Sequence, residues 1–188
     1  MDTILITEKF WINQQVLQIQ MDLLYHFTRS LAYYRTIHQD YGRLKKGHDY
    51  WCHTMNTNLL RAVSDWCVVF GQDSNESHWK NLSAEHKPEV TAEVRRVIKD
   101  SSGFSEQEWI EYWRSMCDFR SGYVAHRNPN FEAPVPHMTK AFDIAAGHFE
   151  WLKEQFRPAQ NEPKRLKVLY PEFQIEALEI LRDYLEEI

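Results

Sequence analysis

Glycine is scarce in this chain, at 6 of 188 residues, and that scarcity argues against a β protein built on many tight turns. Cysteine is scarcer still. Cys52, Cys67 and Cys117 are odd in number, far apart in sequence and set among apolar residues, which speaks against a disulfide framework and against a CxxC zinc or redox pair. Positive charge is in deficit, with 22 Lys and Arg against 27 Asp and Glu and a net charge of -5. No global field draws the chain to nucleic acid, so any RNA binding must use a local basic patch or a symmetric cleft. Long apolar runs are missing too, and the opening Met1-Asp2-Thr3-Ile4-Leu5 has no basic segment followed by an apolar one. The expectation is a cytoplasmic protein with no membrane partner. There is no internal repeat and no low-complexity tract.

What the chain has in quantity is aromatic residues, 7 Trp, 9 Tyr and 10 Phe, within an apolar fraction of 43%. That is enough for one good core, and the helical spacing of these residues predicts an all-α antiparallel bundle. Phe10, Leu17, Leu24, Phe27 and Leu31 mark a long first helix over 8–38. Trp51, Leu59, Val63, Trp66 and Phe70 mark a second over 49–70, stopped by Gly71. Beyond the polar connector 72–77 comes a short turn, then a helix over 88–100 opening at Pro88 and closing at Gly103. Ser105 and Glu108 form a capping box that starts the next helix, through Trp109, Tyr112, Trp113, Met116 and Phe119. A helix over 137–156 follows, then a linker, an ambiguous stretch 164–170 and a final amphipathic helix over 171–187. The bundle is expected to occupy 1–157. The segment 158–188 is read as linker and C-terminal helix packed on the same domain, and that helix is either the last core element or a docking element for a second chain.

The segment most suggestive of chemistry is 117–129. Arg120 lies near the end of an apolar-striped helix, and His126 follows six residues later. A guanidinium offers a fixed fork of donors to a phosphate that gains charge in a transition state, and an imidazole moves a proton near neutral pH. With 9 His in the chain such a spacing also arises by chance, and Arg43 to His48 is a second instance. Context separates them. Arg43 sits in a Lys- and Gly-rich turn, whereas Arg120 is carried by an amphipathic helix that can hold it in place. On an unbroken helix Arg120 and His126 fall on different faces. Gly122 and the stop at Asn128-Pro129 would let the turn unwind and bring His126 back.

Arg120, the polar Ser121 and His126, in a run from Phe119 through Ala125, Arg127 and Asn128 after an earlier helix that spans Leu59 and Phe70, resemble the HEPN superfamily, most closely its abortive-infection type. The likeness covers about 8–156 in layout and a handful of residues in motif. It implies a homodimer whose two motifs face one cleft, metal-independent endoribonuclease activity without cofactor, and a toxin, phage-defence or RNA-processing role, with an antitoxin or other protein as a further partner. By that resemblance Arg120 and His126 are the catalytic pair, and Ser121 and Arg127 support the substrate. Active members often carry Asn, Asp or His directly after the arginine. Ser121 donates and accepts hydrogen bonds but is no strong base.

Three other readings compete. Arg120 could be a helix-terminal cation that satisfies the last carbonyls or pairs with Asp118 or Glu111. The whole chain could be a catalytically silent module of the same type that dimerises and binds a protein or RNA. His48, His53, His78, His86, His137 and His148 could supply metal ligands, though no HExxH or clustered carboxylate pattern accompanies them. Arg95, Arg96 and Lys99 read as a solvated helix face unless they adjoin the Arg120 motif, and the Trp and Tyr residues read as core before base-stacking surface.

Overall fold

The computed structural model of the chain describes residues 11–125, 132–155 and 163–185. Among these it holds six α-helices and no strand, the all-α bundle that the spacing predicts. Helix α1 spans Gln14–Asp40, α2 His48–Phe70, α3 Lys87–Ser102, α4 Glu106–Phe119, α5 Met138–Gln155 and α6 Leu166–Leu181.

Local chemistry sets most of the boundaries. Helix α1 starts at Gln14 and not near residue 8, because the Asn13 side chain accepts from the backbone N–H of Gln15 at 3.0 Å and of Val16 at 3.2 Å. That is an N-cap in extended conformation, which ends the helix on its own side. Ser105 and Glu108 complete the capping box of α4, and Gly103, at φ 70, occupies the left-handed position that closes α3.

Helix α6 departs from the sequence reading. It begins at Leu166, so most of the ambiguous stretch 164–170 is helical and Pro171 lies inside the helix. Packing overrides the proline here. Leu166 is fully buried, and Tyr170 packs on Phe142 and accepts from the Arg35 guanidinium at 3.2 Å. The helix lies on α1 through Phe173, Ala177 and Leu181. Leu178 and Ile175 are exposed on the outer side.

The core runs through α1, α2, α3, α4 and α5, with Phe27, Trp66 and Phe70 among its fully buried side chains, each contributing about 1.5–3 kcal/mol by removal from water. Where α3 crosses α5, a Cβ on Gly147 would collide with the Ser101 hydroxyl, so the two helices approach at glycine distance. A buried polar chain fixes the connector after α2. His148 Nε2 lies 2.9 Å from Gln20 Oε1, and the Gln20 amide donates to the Ser77 carbonyl at 3.0 Å. Gln20 and His148 are wholly inaccessible to solvent. Desolvation pulls the His148 pKa down to about 3, so the ring is neutral and donates from Nε2 to the amide oxygen. The connector carrying residues of the candidate site is thereby tied to α1 and α5. No described helix is long and apolar enough to cross a membrane.

Candidate functional site

Helix α4 ends at Phe119, and the chain continues without a break into a π-helical turn, Arg120–Ala125. Gly122 does not unwind the helix, contrary to expectation. Instead the hydrogen-bond register lengthens, and stacking of Tyr123 on Phe119, ring centroids 5.0 Å apart, keeps the turn on the core. Single π turns inside α-helices concentrate at functional sites because they re-aim side chains. His126, Arg127 and the Asn128-Pro129 stop lie outside the described residues.

Arg120 is exposed. Its backbone N–H closes α4 onto the carbonyls of Cys117 and Met116. Its guanidinium forms no hydrogen bond or ion pair among the described residues, and Glu111, one of the two suggested partners, accepts instead from Gln107 at 2.7 Å. Arg120 and Ser121 line an open hollow of about 240 Å³, whose other wall is the end of α2 and the connector: Cys67, Gly71, Gln72, Ser74 and Asn75. The structure therefore brings Arg120 and Ser121 together in one polar recess.

Two thiols form the back of this recess. Cys67 is buried on α2 and Cys117 half-buried on α4, and contact between them splits their acidities. The hydrogen bond from Cys67 lowers Cys117 against the opposing effects of burial and of Asp118, with Arg120 a smaller lowering influence, while the same bond and burial push Cys67 up. In the structure the Cys67 thiol donates to the Met116 carbonyl at 3.7 Å, and an ionised Cys117 would compete with that carbonyl for the proton. Cys117 is thus the thiol of the pair that ionises first. Sequence inspection could not pair residues on separate helices, and it passed over Gln72, Ser74 and Asn75 as a polar connector.

A larger cleft of about 570 Å³ adjoins the recess at Gly71, which lines both. Helix α3 contributes Arg95 and Lys99 to it, α4 contributes Trp109 and Trp113, and Trp79 and Phe104 are among the other apolar side chains of the lining. Trp113 is anchored by its indole N–H, which donates to the carbonyls of Phe70 at 2.9 Å and Gly71 at 3.0 Å. Burial holds His78, also in the lining, at a pKa of about 4, so that it adds no positive charge at neutral pH.

Among the described residues no three His, Cys, Asp or Glu side chains are grouped to hold a metal ion. Compared with protein-family models, with curated proteins and with solved structures, the chain matches none.

Proposed function

We propose that the chain is a metal-independent endoribonuclease of HEPN type, acting as a homodimer in a toxin or phage-defence setting, with Arg120 and His126 as its reacting pair. The observation that carries this reading is the state of Arg120: an exposed guanidinium at the end of a helix, lining a polar recess and engaged by no carboxylate among the described residues. A structural cation at that place would be spent on Asp118, Glu111 or the helix carbonyls.

In this reading Arg120 holds the non-bridging oxygens of the scissile phosphate and stabilises the charge that accumulates on them. His126 removes the proton from the ribose 2′-hydroxyl, whose oxygen attacks phosphorus as the bond to the 5′-oxygen breaks. The leaving oxygen takes up a proton from His126 or its counterpart in the second subunit. The products are a 2′,3′-cyclic phosphate and a 5′-hydroxyl, and DNA is not cut because it lacks the nucleophile. Ser121 orients the phosphate or the imidazole, and Arg127 positions a neighbouring phosphate.

The test is substitution with a stability control. His126→Ala and Arg120→Ala should each abolish RNA cleavage while leaving the thermal midpoint unchanged. Cleavage that persists in His126→Ala at the wild-type rate would reject the assignment.

A further inference from the structure

The cleft beside the recess has the two chemistries a nucleotide needs, a flat apolar lining and unspent positive charge. Helix α4 runs through both hollows on one face: Trp109 and Trp113 line the cleft, and Cys117 and Arg120 line the recess. These positions recur at three and four residues, so the side chains form one row along the helix. Trp113 and Arg120 are seven residues apart, roughly 10 Å at 1.5 Å per residue. That length matches about three stacked nucleotides at about 3.4 Å each.

The charges in the cleft are not equivalent. Arg96 is taken up by Glu93 at 2.9 Å and Asp100 at 3.2 Å, and Lys80 by Asp73 at 2.7 Å. Arg95 and Lys99, one turn apart and exposed on α3, form no ion pair among the described residues. They share the cleft lining with the indoles of Trp109 and Trp113, which are half-buried. Of the two carboxylates in the lining, Asp73 is neutralised by Lys80, leaving Glu106 at the α4 entrance. At about 570 Å³ the cleft is in the range of a small-ligand site and admits one nucleotide with room for its neighbours' phosphates.

We propose that this cleft binds unpaired nucleotides of the RNA strand whose scissile phosphate reaches Arg120, with a base stacked on Trp109 and Trp113 and the flanking phosphates held by Arg95 and Lys99. The inference rests on the endoribonuclease reading for the direction of the strand, and it adds a site for unpaired nucleotides, since stacking on the indoles needs a base outside a duplex. Binding should weaken with salt at a log–log slope of about −1.4, because two phosphate contacts on a single strand release counterions.

The full chain is titrated with a labelled ten-nucleotide RNA carrying 2′-O-methyl groups, which blocks cleavage, and separately with nucleoside monophosphates. Arg95→Glu/Lys99→Glu, exposed and so expected to fold, should bind the oligonucleotide about tenfold or more weakly with a shallower salt slope. Trp109→Leu should weaken it to a similar degree. On cleavable RNA the charge-reversed variant should raise KM and leave kcat unchanged, whereas Arg120→Ala lowers kcat. Unchanged affinity in the charge-reversed variant, no binding by the wild type, or a monophosphate binding as tightly as the oligonucleotide would each overturn the strand site. Wild-type cleavage kinetics in the charge-reversed variant would overturn it and leave the Arg120 reading intact. Variant-sensitive binding with no cleavage would do the reverse.

Discussion

Trp113 holds Gly71 in place: its indole Nε1 donates to the Gly71 carbonyl at 3.0 Å, at the point where the Arg120 recess and the aromatic cleft meet. The same N–H reaches the Phe70 carbonyl at 2.9 Å, so one side chain of α4 closes the C-terminal end of α2. Helix ends leave carbonyls without internal partners, and here the partner comes from the helix that carries Arg120.

Trp113→Phe keeps an aromatic ring, smaller than the indole, and removes the donor. It should destabilise the fold by about 1–3 kcal/mol, the cost of stranding a partly buried acceptor, as read from the urea midpoint. Gly71→Ala should cost at least as much, because its Cβ would collide with the Cys67 carbonyl and displace the junction. A midpoint unchanged in both variants would remove the junction from the account.

Stability should fall on mild acidification. Burial lowers the pKa of His78 to about 4 and of His148 to about 3, against an ordinary value of 6.5. The unfolded chain therefore binds more protons than the folded one below about pH 6.5, and stability is lost progressively as pH falls from there toward the folded values. Every tenfold difference in proton affinity between the two states is worth about 1.4 kcal/mol, so the loss should be on the order of a few kcal/mol by about pH 4. In His148→Phe the slope over that range should be shallower, even though the variant is weaker at neutral pH. A thermal midpoint that is flat from about pH 7 to about pH 4.5 in the wild type would contradict the two neutral histidines.

The thiols offer a chemical readout of Arg120. Cys117 should react with iodoacetamide at a lower pH than an ordinary thiol, while Cys67 stays inert. Arg120→Ala should move the Cys117 profile to higher pH, and Cys67→Ala should move it further, because the hydrogen bond is the larger of the two influences. Mass spectrometry of the modified peptides over a pH series measures this. A Cys117 profile indifferent to both substitutions would place the guanidinium elsewhere.

Much of the bundle is written locally in the chain. Gly71, Gly103 and the Ser105–Glu108 box stop and start helices by their own hydrogen bonds and backbone preferences, so their positions could be read from sequence, whereas the Asn13 cap, equally local, is missed by the apolar spacing, which puts the start near residue 8. Helix α6 could not, because Pro171 argues against a helix locally and only the burial of Leu166 and the docking of Tyr170 outweigh it. The π turn was hidden for a similar reason: Gly122 lowers helical preference, but the stacking of Phe119 on Tyr123 holds the turn.

The candidate site was half legible. Arg120 and Ser121 were visible as a motif, and His126 and Arg127 were named with them. Cys67 and Cys117, the wall from the connector, and the meeting of Arg95 and Lys99 with Trp109 and Trp113 arise only when separate helices come together. No spacing rule along one chain reports such a meeting.

The central claim is that RNA is cut by its own 2′-hydroxyl, with Arg120 on the phosphate and no metal. The direct measurement is the chemistry of the ends formed when purified chain is incubated with single-stranded RNA in excess chelator. The account predicts 2′,3′-cyclic phosphate and 5′-hydroxyl ends that vanish with Arg120→Ala. Intact RNA, or cleavage that chelator abolishes and that leaves 3′-hydroxyl ends, would contradict it.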